Sequence, residues 1–219
     1  MERSAFLARV RARLADGMPQ SRAAPRSAPA APTAPTPVPT MVSGDGGGFE
    51  RFAAELMQLG GQARLIASRD LADAVAASSI GCRRSVVGED LGAFRSAITE
   101  GLSASGCVVV PAGRDQAASA DLGVTGGLWA VASTGSVLVA ADPGAPRTTG
   151  LLPQRHLIVL PEERLLPGLE ELFEQLPDVV SETSAAVLVT GPSRTSDIEM
   201  ISVRGVHGPG RVMVLLVST

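Results

Sequence analysis

The sequence predicts an α/β protein in which a mainly parallel sheet is covered by helices on both faces. Three observations predict it. From Phe49 onward, short runs of Val, Leu, Ile and Ala alternate with stretches of helical period. The apolar runs are continuous rather than alternating with polar residues, as expected of strands buried on both faces. Hydrophobic residues make up 45% of 219, aromatics only 3%, and Tyr is absent, so the core is aliphatic.

The elements follow in order. Residues 1–17 read as a short amphipathic helix, with Phe6, Leu7, Val10 and Leu14 at helical spacing and arginines between them. Residues 18–48 read as a linker, because their Pro, Ala, Ser and Gly content cannot bury enough apolar area to offset the entropy of ordering. The globular part is then 49–219. "FERFAAELMQLG" (49–60) reads as a helix, "ARLIAS" (63–68) as a strand and "RDLADAVAAS" (69–78) as a helix. "RSVVG" (84–88) is a strand and "LGAFRSAITEGL" (91–102) a helix. "CVVVP" (107–111), "SVLVAA" (136–141), "LIVLP" (157–161), "AAVLVT" (185–190) and "VMVLLV" (212–217) are β-branched runs bounded by turn residues. "PGLEELFEQLP" (167–177) is a helix framed by prolines. Strand order does not follow from these patterns.

Composition narrows the function classes. Lys and Arg number 19 against 22 Asp and Glu, a net charge of −3, which gives no warrant for nucleic-acid binding. No apolar run approaches the ~18 residues of a membrane span. The arginine-studded start "MERSAFLARVRARLADG" has no continuous apolar stretch of the secretory kind, so the expected location is the cytoplasm. Cys82 and Cys107 are isolated from each other and accompanied only by His156 and His207. That set supplies neither the four thiolates of an iron–sulfur cluster nor a zinc site, so no iron–sulfur cluster and no metal are expected in this chain.

Residues with chemistry gather in four stretches. In "DLGVTGGLWAVASTGSVLVAA" (121–141) glycines permit close approach and hydroxyls are frequent. Gly126, Thr134 and Gly135 are its candidate ligand contacts, and two tight turns flanking a hairpin or bulged strand are the structural alternative. In "DPGAPRTTGLLPQRH" (142–156) Arg147 suits bidentate clamping of a carboxylate or phosphate, with a solvated surface arginine as its alternative. His156 there is either a ligand contact or a satisfied strand-edge histidine. In "TGPSRTSDIE" (190–199) a helix starting near Ser193–Asp197 would carry Ser193, Thr195 or Ser196 as cap and Asp197 or Glu199 in a capping box. Arg194 beside such an N-terminus would make an anion pocket. It would lie where ligands of open α/β sheets bind, beyond the strands' carboxyl ends. In "RGVHGPGRVMVLLV" (204–217) His207 sits within a tight turn and is the candidate catalytic residue, or simply bonds the turn.

Taken together, "GVTGGLWAVASTGSVLV" (123–139), "LLPQRHLIVL" (151–160), "TGPSRTSDIE" and "GVHGPGRVMVLLV" (205–217) resemble the lactate utilisation protein C family, whose shared region is called the LUD domain. The resemblance covers most of 49–219. It implies a fold similar to the ribose-phosphate isomerase, glucosamine-phosphate deaminase and CoA-transferase group. It also implies a role with companion subunits, which carry the iron–sulfur clusters, in oxidising L-lactate to pyruvate. Arg147, His156, Ser193, Arg194, Asp197 and His207 stand at retained positions. One departure is visible: where the family commonly reads roughly "DYAIAETG", this chain has "LWAVASTG", with Leu128 and Ser133 in place of acids. The expected role is therefore a subunit of a cytoplasmic L-lactate utilisation system that binds a small organic or phosphorylated anion. Two other readings stay open: a non-catalytic assembly protein of the same family, and a stand-alone enzyme on a sugar phosphate or CoA thioester.

Overall fold

The structure, a computed structural model, describes residues 47–141, 144–196, 202–204 and 207–218. The expected helix of residues 1–17, almost all of the 18–48 linker, and Asp197 lie outside these residues.

The described chain opens with α1 (Gly48–Gln58), β1 (Gln62–Ala67), α2 (Leu71–Ser78), β2 (Arg84–Val87), α3 (Arg95–Ala104) and β3 (Val108–Val110). It continues through α4 (Arg114–Ala118), β4 (Leu122–Gly126), β5 (Trp129–Val131), β6 (Ser136–Ala141) and α5 (Thr148–Leu151). It then runs through β7 (Arg155–Pro161), β8 (Leu165–Leu166), α6 (Leu169–Glu182), β9 (Ala185–Val189), β10 (Arg194–Ser196), β11 (Ser202–Arg204) and β12 (Arg211–Ser218). The main sheet has six strands in the order β1-β12-β7-β4-β2-β3. Every neighbouring pair in it is parallel. This is the α/β architecture with a mainly parallel sheet that the continuous apolar runs predict.

Successive side chains of a strand leave on opposite faces, so β7 and β12 feed two cores. Leu157, Val159, Leu215 and Val217 meet Leu71 and Val75 of α2 and Ile98 and Leu102 of α3. Ile158, Leu160, Val214 and Leu216 meet Phe52 and Leu56 of α1 together with Ala130 and Val137. Each such fully buried aliphatic side chain contributes roughly 1.5–3 kcal/mol of transfer free energy. The second face is thus covered by α1 jointly with another sheet, ordered β8-β5-β6-β9. α6 closes the outside of that sheet through Leu172, against Val131 and Leu138.

Several elements differ from the sequence reading. The 121–141 stretch contains a hairpin, one form of its structural alternative, with β5 antiparallel to β6, but also a separate strand, β4, inside the main sheet. The chain crosses between sheets at Gly127, whose N–H donates to the Val159 carbonyl at 3.0 Å. A Cβ on Gly127 would stand 2.8 Å from Val137 Cγ1. α6 does not stop before Pro177 but runs through it to Glu182. Pro177 forfeits a single helical N–H, while Leu176 before it and Val179 after it both pack on the α6 core. Among the described residues of this stretch, Ser193–Ser196, no helix begins. Arg194, Thr195 and Ser196 pair instead with Arg204, Val203 and Ser202 in an antiparallel ribbon. Residues 194–196 satisfy their main chain by strand pairing rather than by capping, so these three present no free helix amides. β9, which precedes it, belongs to the second sheet, antiparallel to β6. The carboxyl-end rule for parallel sheets therefore does not apply to it.

Candidate functional site

The site grows from the first turns of β7. His156 is paired with Gly123 of β4, so Thr125, two residues further along β4, leaves on the same face. The Thr125 hydroxyl and His156 Nε2 lie 2.8 Å apart. Both are 3% exposed. Two glycines make room for this arrangement. A Cβ on Gly123 would meet the Thr149 carbonyl oxygen at 1.8 Å, so only glycine lets α5 lie directly on the sheet. A Cβ on Gly150 would stand 2.6 Å from His156 Cε1, so the ring packs beneath α5. Burial pushes the His156 pKa down to about 4, which keeps the imidazole neutral at physiological pH.

Above this pair lies a cavity of about 190 Å³, between the main sheet and strands β6 and β9. Val139 and Ala141 of β6, Val187 and Val189 of β9, Ala145 and Leu151 form aliphatic walls. Ser193 and the turn His207–Pro209 close another side. The Ser193 N–H donates to the Pro209 carbonyl at 2.9 Å, which ties the two loops together. Arg147 and His207 line the cavity and are exposed. The site is polarised: a cation at the mouth, a neutral hydrogen-bonded pair at the floor, aliphatic groups between. Among the described residues no group of His, Cys, Asp or Glu is arranged to hold a metal ion.

Of the residues singled out from sequence, Arg147, His156, Ser193 and His207 come together here. Of the others, those among the described residues do not line this cavity. The Gly126 N–H donates to Asp90 Oδ2 at 2.9 Å, and a Cβ there would crowd the Asp90 carbonyl oxygen at 2.5 Å. Thr134 donates to the Ser136 hydroxyl at 2.8 Å, which donates to Thr190 Oγ1 at 3.0 Å, linking the hairpin to the end of β9. Gly135 has φ +63° and abuts the α1 backbone, where a Cβ would lie 2.3 Å from the Leu56 nitrogen. Arg194 is exposed and turns its guanidinium to the Leu59 carbonyl, away from Ser193, as alternation along an extended chain dictates. Thr195 pairs with Val203 in the β10–β11 ribbon. The sequence reading missed Thr125 as the floor partner and the valines as walls. Thr125 carried a signal, a lone hydroxyl in an otherwise apolar strand.

Residues 103–217, more than half of the chain, match the family described as LUD domain. The chain belongs to the LUD domain family. The described lining of the cavity, from Thr125 to Pro209, falls within this LUD domain match. Among curated relatives, lactate utilization protein C of Exiguobacterium sp. strain AT1b is 37% identical over 110 residues, 48% of this chain and 48% of that protein. Lactate utilization protein C of Deinococcus radiodurans is 36% identical over 100 residues, 45% of this chain and 47% of that protein. The protein of the same name from Bacillus subtilis is 30% identical over 107 residues, 47% of this chain and 45% of its own length. The match spans about half the length of these relatives. A crystal structure of a DUF162 family protein from Deinococcus radiodurans shares the fold, with a TM-score of 0.60 and 20% identity over 78% of this chain and 96% of that one. No helix among the described residues is long and apolar enough to cross a membrane.

Proposed function

We propose that this LUD-domain protein serves lactate utilisation as the anion-binding subunit of a cytoplasmic system whose iron–sulfur clusters reside in companion subunits. The observation that carries the reading is the convergence of Arg147, His156, Ser193 and His207 on one cavity from four separate loops and strands. The names of the relatives supply the pathway. Arg147 is the cation that holds a carboxylate at the mouth, bidentately where geometry allows. Among the described residues it has no carboxylate partner. Ser193 adds a hydroxyl, and the neutral His156–Thr125 pair orders the floor without adding charge.

A binding role in an assembly, rather than turnover by this subunit alone, is favoured by Leu128 and Ser133. Leu128 packs on the α6 core, and neither it nor Ser133 carries a carboxyl group that could act as acid or base. The test is complementation. A strain lacking this gene is expected to lose growth on L-lactate and to regain it with the wild-type gene but not with Arg147→Gln. Undiminished growth of the deletion strain removes the pathway assignment.

A further inference from the structure

We infer that the cavity admits a monocarboxylic acid tail-first, and that its preferred ligand carries a branched aliphatic tail longer than the methyl group of lactate. The inference deepens the anion-site reading above and rests on it.

The polarity of the cavity sets the orientation. Its cation, Arg147, belongs to the exposed rim, whereas Thr125 and His156 at the floor are 3% exposed and bonded to each other at 2.8 Å. A carboxylate driven to the floor would be desolvated beside a neutral imidazole, with no cation to offset the loss of water. The same carboxylate at the rim keeps both water and Arg147. Between rim and floor the ligand meets Val139, Val187, Val189 and Leu151, which offer only dispersion and burial.

Size sets the length. A dry apolar cavity of about 150 Å³ holds benzene, and this one measures about 190 Å³. Lactate, whose only apolar part is a methyl group, would leave most of the valine wall without contact. An isobutyl-like tail with its carboxylate at the rim would use that wall. Each further buried methylene is worth roughly fourfold in affinity.

The experiment is calorimetric titration of the full chain with lactate, propionate, butyrate, isovalerate, isocaproate and the dicarboxylate glutarate. Affinity is expected to rise roughly fourfold per added tail carbon up to isocaproate, with glutarate weaker than butyrate. Val187→Phe, which fills the wall, is expected to abolish the rise while retaining propionate. Arg147→Gln is expected to weaken all the monocarboxylates by a similar factor. If lactate and propionate bind but longer tails give no gain, the tail pocket is wrong and the anion site stands. If no acid binds at all, both fall. A chain-length gain that survives Val187→Phe, or that is indifferent to Arg147→Gln, places the binding elsewhere and overturns the inference.

Discussion

The Thr125 hydroxyl lies 2.8 Å from His156 Nε2, beneath a short helix that two glycines allow onto the sheet. The pair is buried, and burial takes the His156 pKa from its ordinary value near 6.5 to about 4. In that window the unfolded chain binds a proton that the folded chain refuses, so stability is full above pH 6.5 and falls as pH drops toward 4. The contribution of His156 to that fall is roughly tenfold in the folded-to-unfolded ratio per pH unit. Urea melts of wild type and His156→Gln between these limits measure it, the variant being expected to show the shallower dependence. Thr125→Val, which strips the imidazole of its partner, is expected to destabilise by about 1–3 kcal/mol.

Gly123 and Gly150 are expected to be intolerant of alanine for different reasons. At Gly123 the new Cβ would collide with the Thr149 carbonyl, a backbone atom, so α5 has to lift. At Gly150 it would press on the His156 ring, which is itself wedged against Thr125. Overpacking of this kind typically destabilises by about 1–3 kcal/mol. Denaturant unfolding measures both, and Gly47→Ala, where nothing lies within 4 Å and φ is −98°, is the control for adding a methyl group alone.

The two candidate arginines are expected to separate. Arg194 donates to the Leu59 carbonyl and lies outside the cavity lining, so Arg194→Ala should lower stability by about 1 kcal/mol and leave ligand affinity unchanged. Arg147→Gln should do the reverse. Thermal shifts of the two variants, with and without isocaproate, distinguish them by mass action.

Cys82 and Cys107 are expected to be slow toward aromatic disulfide reagents in the native state. They are 5% and 4% exposed, and burial raises both thiols, Cys107 to about 11. The thiolate is the reactive form, so little of it is present at neutral pH. Both should titrate at once in urea. Fast labelling of the folded chain would show that the α2–α3 core opens readily.

Much of the fold was legible because the central strands are apolar without interruption: residues 157–161 and 212–217 became β7 and β12, the middle of the parallel sheet. β4 was not, because Gly123, Thr125 and Gly126 break its apolar run. Those residues are there for α5, for His156 and for the Asp90 loop, so the features that hid the strand belong to the site. The stretch after β9 was misread as a helix start because Ser and Thr serve caps and strand edges equally well, and only the pairing with 202–204 decides between them. Arg147, His156, Ser193 and His207 were visible as polar residues in turns and at a strand edge. The walls were not, since Val139, Val187 and Val189 look like any core valine until β6 and β9 are set across from the main sheet.

The central claim is that the cavity between the two sheets holds an anion by its rim cation and an aliphatic tail by its valines. A crystal structure of the protein with isocaproate tests it most directly. The carboxylate is expected within hydrogen-bond distance of the Arg147 guanidinium and the tail against Val139, Val187 and Val189. Isocaproate bound with its carboxylate at the floor beside His156, or bound at another place on the molecule, would contradict it.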